Sequence, residues 1–190
     1  MKKVLFFALV AAVLVGFTNS VQAEGKFRIG VGGDVMIPTG DFGDGFSAGF
    51  GGTVCGEYMV SPMASITLKS GYWTWSAKDL PAGFDAKLKG VPVLAGVKYY
   101  FMPEGSTRVY GQGELGMFFA TVDATVVIGG VSYSGSSSES KFSFAPAVGV
   151  EFAAGSSVNV DVSARYLIIS TDPSSNSIGF RAGVNFAVGN

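Results

Sequence analysis

Apolar and polar residues alternate with a period of two in eight successive segments of this chain, and this repeat constrains the fold more than any other feature. In the clearest segment, residues 158–168, apolar side chains alternate with Asn159, Asp161, Ser163 and Arg165. Such alternation is typical of β-strands that have one apolar and one polar face. Charged residues within the segments fall out of phase with the apolar ones. The sequence therefore predicts an all-β domain of eight strands.

The first residues of the chain have the three-part layout of a secretory signal, and residues 1–23 are predicted to be cleaved. Lys2 and Lys3 form the basic region, and the apolar stretch of residues 4–15 is too short to span a membrane. Residues 24–190 are then expected to form one exported domain. Its lone Cys55, which we predict to face the interior, has no partner for a disulfide.

Two barrel architectures are compatible with the alternation: a water-soluble barrel with an apolar interior, or a membrane barrel with an apolar exterior. Hydrophobic residues make up 48% of the chain, yet no apolar run near the length of a membrane helix follows the signal. A helical membrane protein is thereby excluded. In hydrocarbon, strands can span only as a closed sheet, because each unpaired N–H or C=O costs several kcal/mol.

The charges on the polar face are sparse and nearly balanced in sign, which favours the membrane barrel. A narrow lumen can pair such charges, whereas a water-exposed surface has no need for the balance. We predict a structural network and not a solute path, since an eight-stranded barrel is just wide enough for side chains to fill. The predicted lumen network comprises Arg28, Asp34, Glu57, Lys69, Lys98, Arg108, Glu114, Glu151, Asp161, Arg165 and Arg181.

Aromatic residues lie near the ends of the segments on the apolar face, as in the two aromatic girdles of a membrane barrel. The competing explanation is that aromatic residues simply favour strands. The same pattern places Phe46, Phe119 and Phe144 at one rim. The predicted membrane-interface aromatics are Tyr58, Tyr72, Tyr99, Phe101, Phe152, Tyr166 and Phe186.

The connections between the segments alternate between long and short, which an up-and-down barrel with both ends in the periplasm requires. We therefore predict an eight-stranded antiparallel up-and-down transmembrane β-barrel with a polar lumen, an apolar exterior and long loops outside the cell. The short connections are residues 61–63, 103–106 and 154–157, and the long ones are residues 38–45, 76–89, 122–140 and 170–177.

The third long connection reverses its apolar phase. Odd positions are apolar up to Phe119, whereas even positions are apolar from Val122 onward, and the return arm also switches. Gly129-Gly130 is a plausible two-residue hairpin turn between the arms. Residues 122–140 are thus either a hairpin that protrudes from the bilayer or, because of the serine run at 134–140, a disordered loop.

Three stretches resemble the outer-membrane protein beta-barrel family of Gram-negative bacteria, which includes small OmpA- and OmpX-type barrels. They are residues 38–42 (PTGDF), 91–101 (VPVLAGVKYYF) and 182–186 (AGVNF). The resemblance implies an outer-membrane location, contact with lipid and lipopolysaccharide, and insertion by the outer-membrane assembly machinery. It also implies roles from envelope integrity to adhesion. Many such proteins end on an aromatic residue, whereas here residues 187–190 follow Phe186.

Residues for enzymatic chemistry are scarce. The chain has no His, which is the usual general base. The known enzymes among outer-membrane barrels resemble this fold, but they rely on a His. Residues 111–116 spell G-x-G-x-x-G, but they lie in a strand pattern and open no helix. Asp41 and Asp44 lack full calcium-loop spacing and are better explained as turn residues. No catalytic, cofactor or metal site is expected.

Three functions remain open from the sequence. The leading hypothesis is a non-enzymatic, monomeric surface barrel that supports the envelope and presents its long loops to host or envelope proteins. The second is a narrow pore for small solutes or ions, and the third is a secreted soluble ligand-binding barrel. Without Lys2 and Lys3, 11 basic residues accompany 14 acidic ones, so the charge does not suggest nucleic acid.

Overall fold

Eight antiparallel strands form a closed barrel in the computed structural model, which describes residues 27–172 and 174–188. The predicted signal peptide lies outside the described residues. Each strand pairs with its neighbours in sequence, and the last strand pairs with the first, so the predicted up-and-down barrel is confirmed. The strands are β1 (Phe27–Thr39), β2 (Gly49–Ser61), β3 (Ala64–Ser76), β4 (Phe84–Tyr100), β5 (Thr107–Ile128), β6 (Val131–Ala153), β7 (Val158–Ile169) and β8 (Ser175–Val188).

The side chains of each strand alternate between the inside and the outside of the barrel, as the sequence pattern predicts. On β7, Val160 is 37% exposed, whereas the next residue, Asp161, is 2% exposed. Val160 lies opposite Phe152 on β6 and Val184 on β8, so apolar side chains adjoin across three strands. The apolar exterior is therefore a continuous surface, and closure of the ring pairs the strands on both sides.

The two ends of the barrel differ in their connections. The end that holds both termini of the described part of the chain, where β1 begins and β8 ends, has short turns at residues 62–63, 101–106 and 154–157. At the other end, one five-residue helix, α1 (Asp41–Gly45), occupies part of the connection between β1 and β2. The predicted loop at 76–89 is shorter in the structure, because β4 begins at Phe84. No helix within the described ranges is long and apolar enough to cross a membrane.

Residues 122–140 form a hairpin and not a disordered loop. β5 and β6 pair in continuous register from Thr107–Phe152 to Ile128–Val131. Gly129 and Gly130 make the turn with φ of 59° and 83°, a backbone conformation that glycine adopts without strain. These two strands, at 22 and 23 residues, are the longest described strands of the barrel.

Candidate functional site

The inside of the barrel near the termini contains a buried group of charged side chains centred on Glu151 of β6. Its carboxylate accepts a hydrogen bond from Lys98 Nζ at 2.7 Å and lies within ion-pair distance of the Arg28 and Arg108 guanidinium groups. Lys98 also pairs with Glu57 of β2 at 3.2 Å. Three cations from three strands therefore share two carboxylates in the closed interior.

The same chain of contacts continues toward the middle of the barrel. Arg181 of β8 pairs with Asp161 at 2.7 Å and donates from Nε to the Thr53 hydroxyl at 3.0 Å. That hydroxyl in turn donates to Asp34 at 2.9 Å, and Asp34 lies 3.2 Å from Arg165. Ion pairs and the Thr53 hydroxyl of β2 thus connect charges on three strands, β1, β7 and β8.

All eleven residues of the proposed lumen network lie in one connected set of contacts, which we call the charge network. Its remaining members are Glu114, which lies 3.9 Å from Arg165, and Lys69, which pairs with Glu114 at 2.5 Å. Lys98 connects the Glu151 group to the rest, because its ammonium lies 3.9 Å from Asp161. Buried charges are stabilised only by such partners, so each member depends on the others.

The outer half of the interior is apolar, a feature that sequence analysis missed. Trp73 and Trp75 of β3 pack edge to face at 6.2 Å, and Phe118 of β5 lies 6.1 Å from each ring. A side chain at Gly90 would collide with the Phe118 ring, so the glycine makes room for it. We call this cluster the aromatic plug, and its buried members are Met36, Phe42, Trp73, Trp75, Leu88, Phe118, Ala120, Ala145, Leu167 and Ile169.

The aromatic plug also corrects the prediction that Phe46 belongs to an aromatic rim on the apolar exterior. Phe46 does not lie on the exterior; its ring is partly buried and packs 5.1 Å from Phe42 of α1. The plug and the charge network adjoin, since the Arg165 guanidinium lies 5.6 Å from the Trp73 ring. The predicted polar lumen therefore describes the inner half of the interior, and side chains fill both halves.

The seven aromatic residues predicted for the membrane interfaces all lie on the exterior, with 39 to 60% of each exposed. Tyr72 and Tyr166 lie toward the end with α1, and the other five lie toward the end with the termini. Tyr99 and Phe101 pack edge to face at 5.5 Å. We propose that the two groups mark the two edges of the bilayer.

From the outer level of the aromatic plug, which includes Leu88, β4, β5 and β6 continue as a three-stranded extension, residues 84–89, 121–128 and 131–141, which we call the protruding sheet. Phe84 lies opposite Val126, which lies opposite Tyr133. These residues share the phase of the barrel interior, so the apolar face looks toward the barrel axis. The opposite face is polar, and on it Lys89 pairs with Asp123 at 2.7 Å. The protruding sheet is thus polar on its outer face and apolar on its inner face, the reverse of the barrel wall, whose exterior is apolar.

We propose that this inversion marks where the wall leaves the bilayer. A lipid-facing surface is apolar, whereas the outer face of the protruding sheet carries serines, threonines and charged residues. From Ala120 to Ile128 the strand rises about 27 Å along its own direction at ~3.4 Å per residue. The sheet therefore extends well past the last lipid-facing aromatic residues of β5 and β6. Within the described residues, no group of His, Cys, Asp and Glu is arranged to hold a metal ion.

An apolar exterior, a closed ring of antiparallel strands and an interior filled by paired charges and apolar rings are the features of a bacterial outer-membrane β-barrel. The chain belongs to the outer membrane protein beta-barrel domain family, whose model matches residues 8–186. The protein is therefore located in the bacterial outer membrane, in agreement with the resemblance seen in the sequence.

Solved structures with the same fold include a Neisserial surface protein and an attachment invasion locus protein of Yersinia pestis. Neisserial surface protein A is 19% identical over 86% of this chain and 97% of its own, with a TM-score of 0.60. Ail, the attachment invasion locus protein of Yersinia pestis, is 18% identical over 87% of this chain and 100% of its own, with a TM-score of 0.59. Ail has also been solved with the heparin analogue sucrose octasulfate, at 16% identity, 85% and 97% coverage and a TM-score of 0.57. No curated protein matches the sequence.

Proposed function

We propose that this protein is a non-enzymatic surface barrel that supports the envelope and binds a partner protein through the protruding sheet. The observation that carries the proposal is the inverted polarity of residues 121–141, which supports an ordered sheet that extends outside the bilayer. The β5–β6 hairpin presents a fixed surface, because the pairing of β5 with β4 keeps it in line with the barrel wall. A host or envelope protein is the partner class that this surface fits best.

The charges at the end of the barrel that carries α1 and the protruding sheet favour a protein over a polyanion as the binding partner. The connections and the protruding sheet carry four lysines and seven acidic residues, Lys78, Lys87, Lys89, Lys141, Asp41, Asp44, Asp79, Asp85, Asp123, Glu139 and Asp172. Each lysine also has a partner: three pair with acidic residues, and Lys78 donates to the Gly43 carbonyl at 2.7 Å. A sulfated ligand such as the one bound by Ail needs unpaired cations.

Enzymatic activity is disfavoured by the interior as well as by the absence of His. The buried carboxylates of the charge network are each paired with a cation, as Glu114 is with Lys69. A general acid or base needs a carboxyl group that is free to exchange protons with a substrate. The charge network is better suited to fixing the barrel shape.

Deletion of the hairpin tip tests the proposed function. Val122 and Ser137 lie opposite each other, so Asn-Gly in place of residues 123–136 retains a two-residue turn at this position. We expect cells with this variant to lose adhesion to cultured epithelial cells and to one another, while the barrel still migrates compactly on unheated gels. Adhesion equal to that of cells with the native chain would contradict the proposal.

The filled interior also leads to a prediction about conductance. Because the charge network and the aromatic plug occupy successive levels, we expect no steady conductance from the purified protein in planar bilayers. Replacing Trp73 and Phe118 together by alanine removes much of the plug and is expected to produce flickering openings. Steady conductance by the native chain that changes in the Glu114→Gln or Arg165→Gln variant would instead favour the pore hypothesis.

A further inference from the structure

A cavity of about 350 Å³ opens at the end of the barrel where β1 begins and β8 ends, opposite the protruding sheet. Its walls are residues that face the lumen from β1, β5, β6, β7 and β8, together with the turns that follow β4 and β6. Because these strands separate the cavity from the bilayer, a ligand enters it from water. We call it the arginine cavity, and its strand residues are Arg28, Arg108, Ala153, Asn159 and Ala187.

The two arginines of this cavity share one carboxylate oxygen. Arg28 Nη1 and Arg108 Nη2 both contact Oε2 of Glu151, with a distance of 3.5 Å for Arg28. The other oxygen, Oε1, accepts hydrogen bonds from Lys98 Nζ at 2.7 Å and from the Tyr100 hydroxyl at 2.9 Å. Glu151 therefore has no further oxygen with which to balance the second guanidinium group.

Every other cation of the charge network has a carboxylate of its own. The pairs are Lys69 with Glu114, Lys98 with Glu57, Arg165 with Asp34 and Arg181 with Asp161. The eleven members of the network comprise six cations and five carboxylates. One positive charge is therefore left without a counter-charge, and it lies at the cavity, where Arg28 and Arg108 share Glu151.

Both guanidinium groups also retain unused hydrogen-bond donors. A guanidinium carries five N–H donors, and within the described residues Arg28 and Arg108 each donate one hydrogen bond, to Glu151. Arg28 Nε is enclosed by protein and meets no acceptor in the described part of the chain. The two side chains are each 13% exposed, against 1% for Arg165. An oxyanion in the cavity supplies the missing acceptors, since the planar fork of arginine matches a pair of oxygens.

The charge balance and the size of the cavity indicate the class of ligand. One cation in excess is matched by a carboxylate, which carries one negative charge, whereas a phosphate monoester carries about −1.5 to −2. The cavity lies near the lower end of the range of about 300–1,000 Å³ that small-molecule sites occupy. Asn159 and Ser156 provide neutral polar groups beside the arginines, and the small side chains of Ala153 and Ala187 leave room for the ligand.

We propose that the arginine cavity binds a compact ligand with a single carboxylate, either a free small acid or the end of a short peptide. Arg28 and Arg108 hold the two carboxylate oxygens, and the bound group provides the negative charge that Glu151 divides among three cations. The inference does not rest on the proposed function, because the cavity lies at the other end of the barrel. With the protruding sheet outside the cell, the cavity opens to the periplasm.

Titration of the full chain in phosphatidylcholine nanodiscs, followed by the NMR signals of the arginine Nε–H groups, tests the site. The probe is N-acetylalanine at constant sodium chloride concentration, and its matched control is N-acetylalaninamide, which has a similar shape but no charge. We expect saturable shifts of the Arg28 and Arg108 signals with the acid and none with the amide. N-acetylalanylalanine that binds more tightly than N-acetylalanine would support the peptide end, and equal affinity would support the free acid.

Two variants separate binding in the cavity from general attraction to positive charge. Arg108→Gln removes one guanidinium group, whereas Ala187→Leu keeps every charge and fills the cavity beside Arg28, its partner in the register. We expect each variant to bind N-acetylalanine about tenfold more weakly or worse, the loss that a charge-assisted hydrogen bond gives. Lys87→Gln, which removes an exposed lysine at the other end, is expected to bind like the native chain. Compact migration on unheated gels checks that each variant folds.

Four results would overturn the proposal. They are the absence of a saturable shift in the native chain, equal binding of the acid and the amide, native-like binding by Ala187→Leu, and a loss in Lys87→Gln as large as that in Arg108→Gln. Inorganic phosphate that binds more tightly than either acid would reject a carboxylate as the ligand. If Arg108→Gln does not fold, Ala187→Leu still decides whether the ligand lies in the cavity. Adhesion by the hairpin deletion tests the proposed function separately.

Discussion

The Glu151→Gln variant is expected to lose about 3–5 kcal/mol of the free energy of unfolding, the cost of breaking a buried ion pair from one side. Glu151 is fully buried, and its carboxylate is shared by Arg28, Lys98 and Arg108. Glutamine keeps the volume but leaves the three cations with less negative charge nearby. Urea titration of the protein in phospholipid vesicles, followed by the fluorescence of the plug tryptophans, measures the change.

The matched control for this variant is Glu104→Gln. Glu104 lies exposed in the turn between β4 and β5, so its replacement is expected to change the free energy of unfolding by less than about 0.5 kcal/mol. If both variants unfold at the same urea concentration as the native chain, the charge network does not hold the barrel together.

The second large effect is expected on the lipid-facing side. Val162 lies on the exterior near the middle of β7, between Val150 and Ala182 of the adjacent strands. Replacing it by arginine places a charge near the centre of the bilayer and is expected to cost about 2–4 kcal/mol. The same urea titration in vesicles measures this loss.

Val127→Arg is the paired control, and it tests the boundary of the bilayer. Val127 shares the outward phase of β5 but lies on the polar face of the protruding sheet, at 46% exposure. Arginine there meets water, so we expect a change of less than about 0.5 kcal/mol. A cost at Val127 as large as that at Val162 would place the hairpin within lipid and reject the protruding sheet.

The sequence predicted the barrel wall well, because the period of two determines both the strand and its face. Asp161 and Val160 illustrate this point: once one is assigned to the lumen, its neighbour must face out, and pairing with β6 and β8 extends the assignment across the sheet. The eleven charges could be collected in the same way, since each is out of phase with the apolar residues around it.

The aromatic plug escaped prediction for a physical reason. Trp73 and Trp75 have the same phase as Lys69, so alternation places all three inside, but it does not say which residues of other strands lie at the same level. An interior level can be filled by paired charges or by apolar rings, and only the register that brings Phe118 to the tryptophans decides between them. The inward phase of Trp73 was the signal in the sequence that an aromatic ring lies inside the barrel.

The hairpin was ambiguous because its own sequence is a poor strand former. Serine and glycine dominate residues 134–138, and neither favours a strand by itself. Pairing of each residue with β5, and of β5 with β4, provides the order that local propensity lacks. The phase reversal at Val122 could be read from the sequence, but the length of the ordered strands could not.

The direction in which the two faces point is tested most directly by spin labels on single cysteines, in a chain with Cys55→Ser. Labels at Val160 and Val184 are expected to collide freely with oxygen, which partitions into lipid, and rarely with a water-soluble nickel reagent. A label at Thr125, on the outer face of the protruding sheet, should show the reverse. Accessibility of the Val160 and Val184 labels to the nickel reagent, comparable to that of Thr125, would contradict a barrel whose apolar side faces lipid.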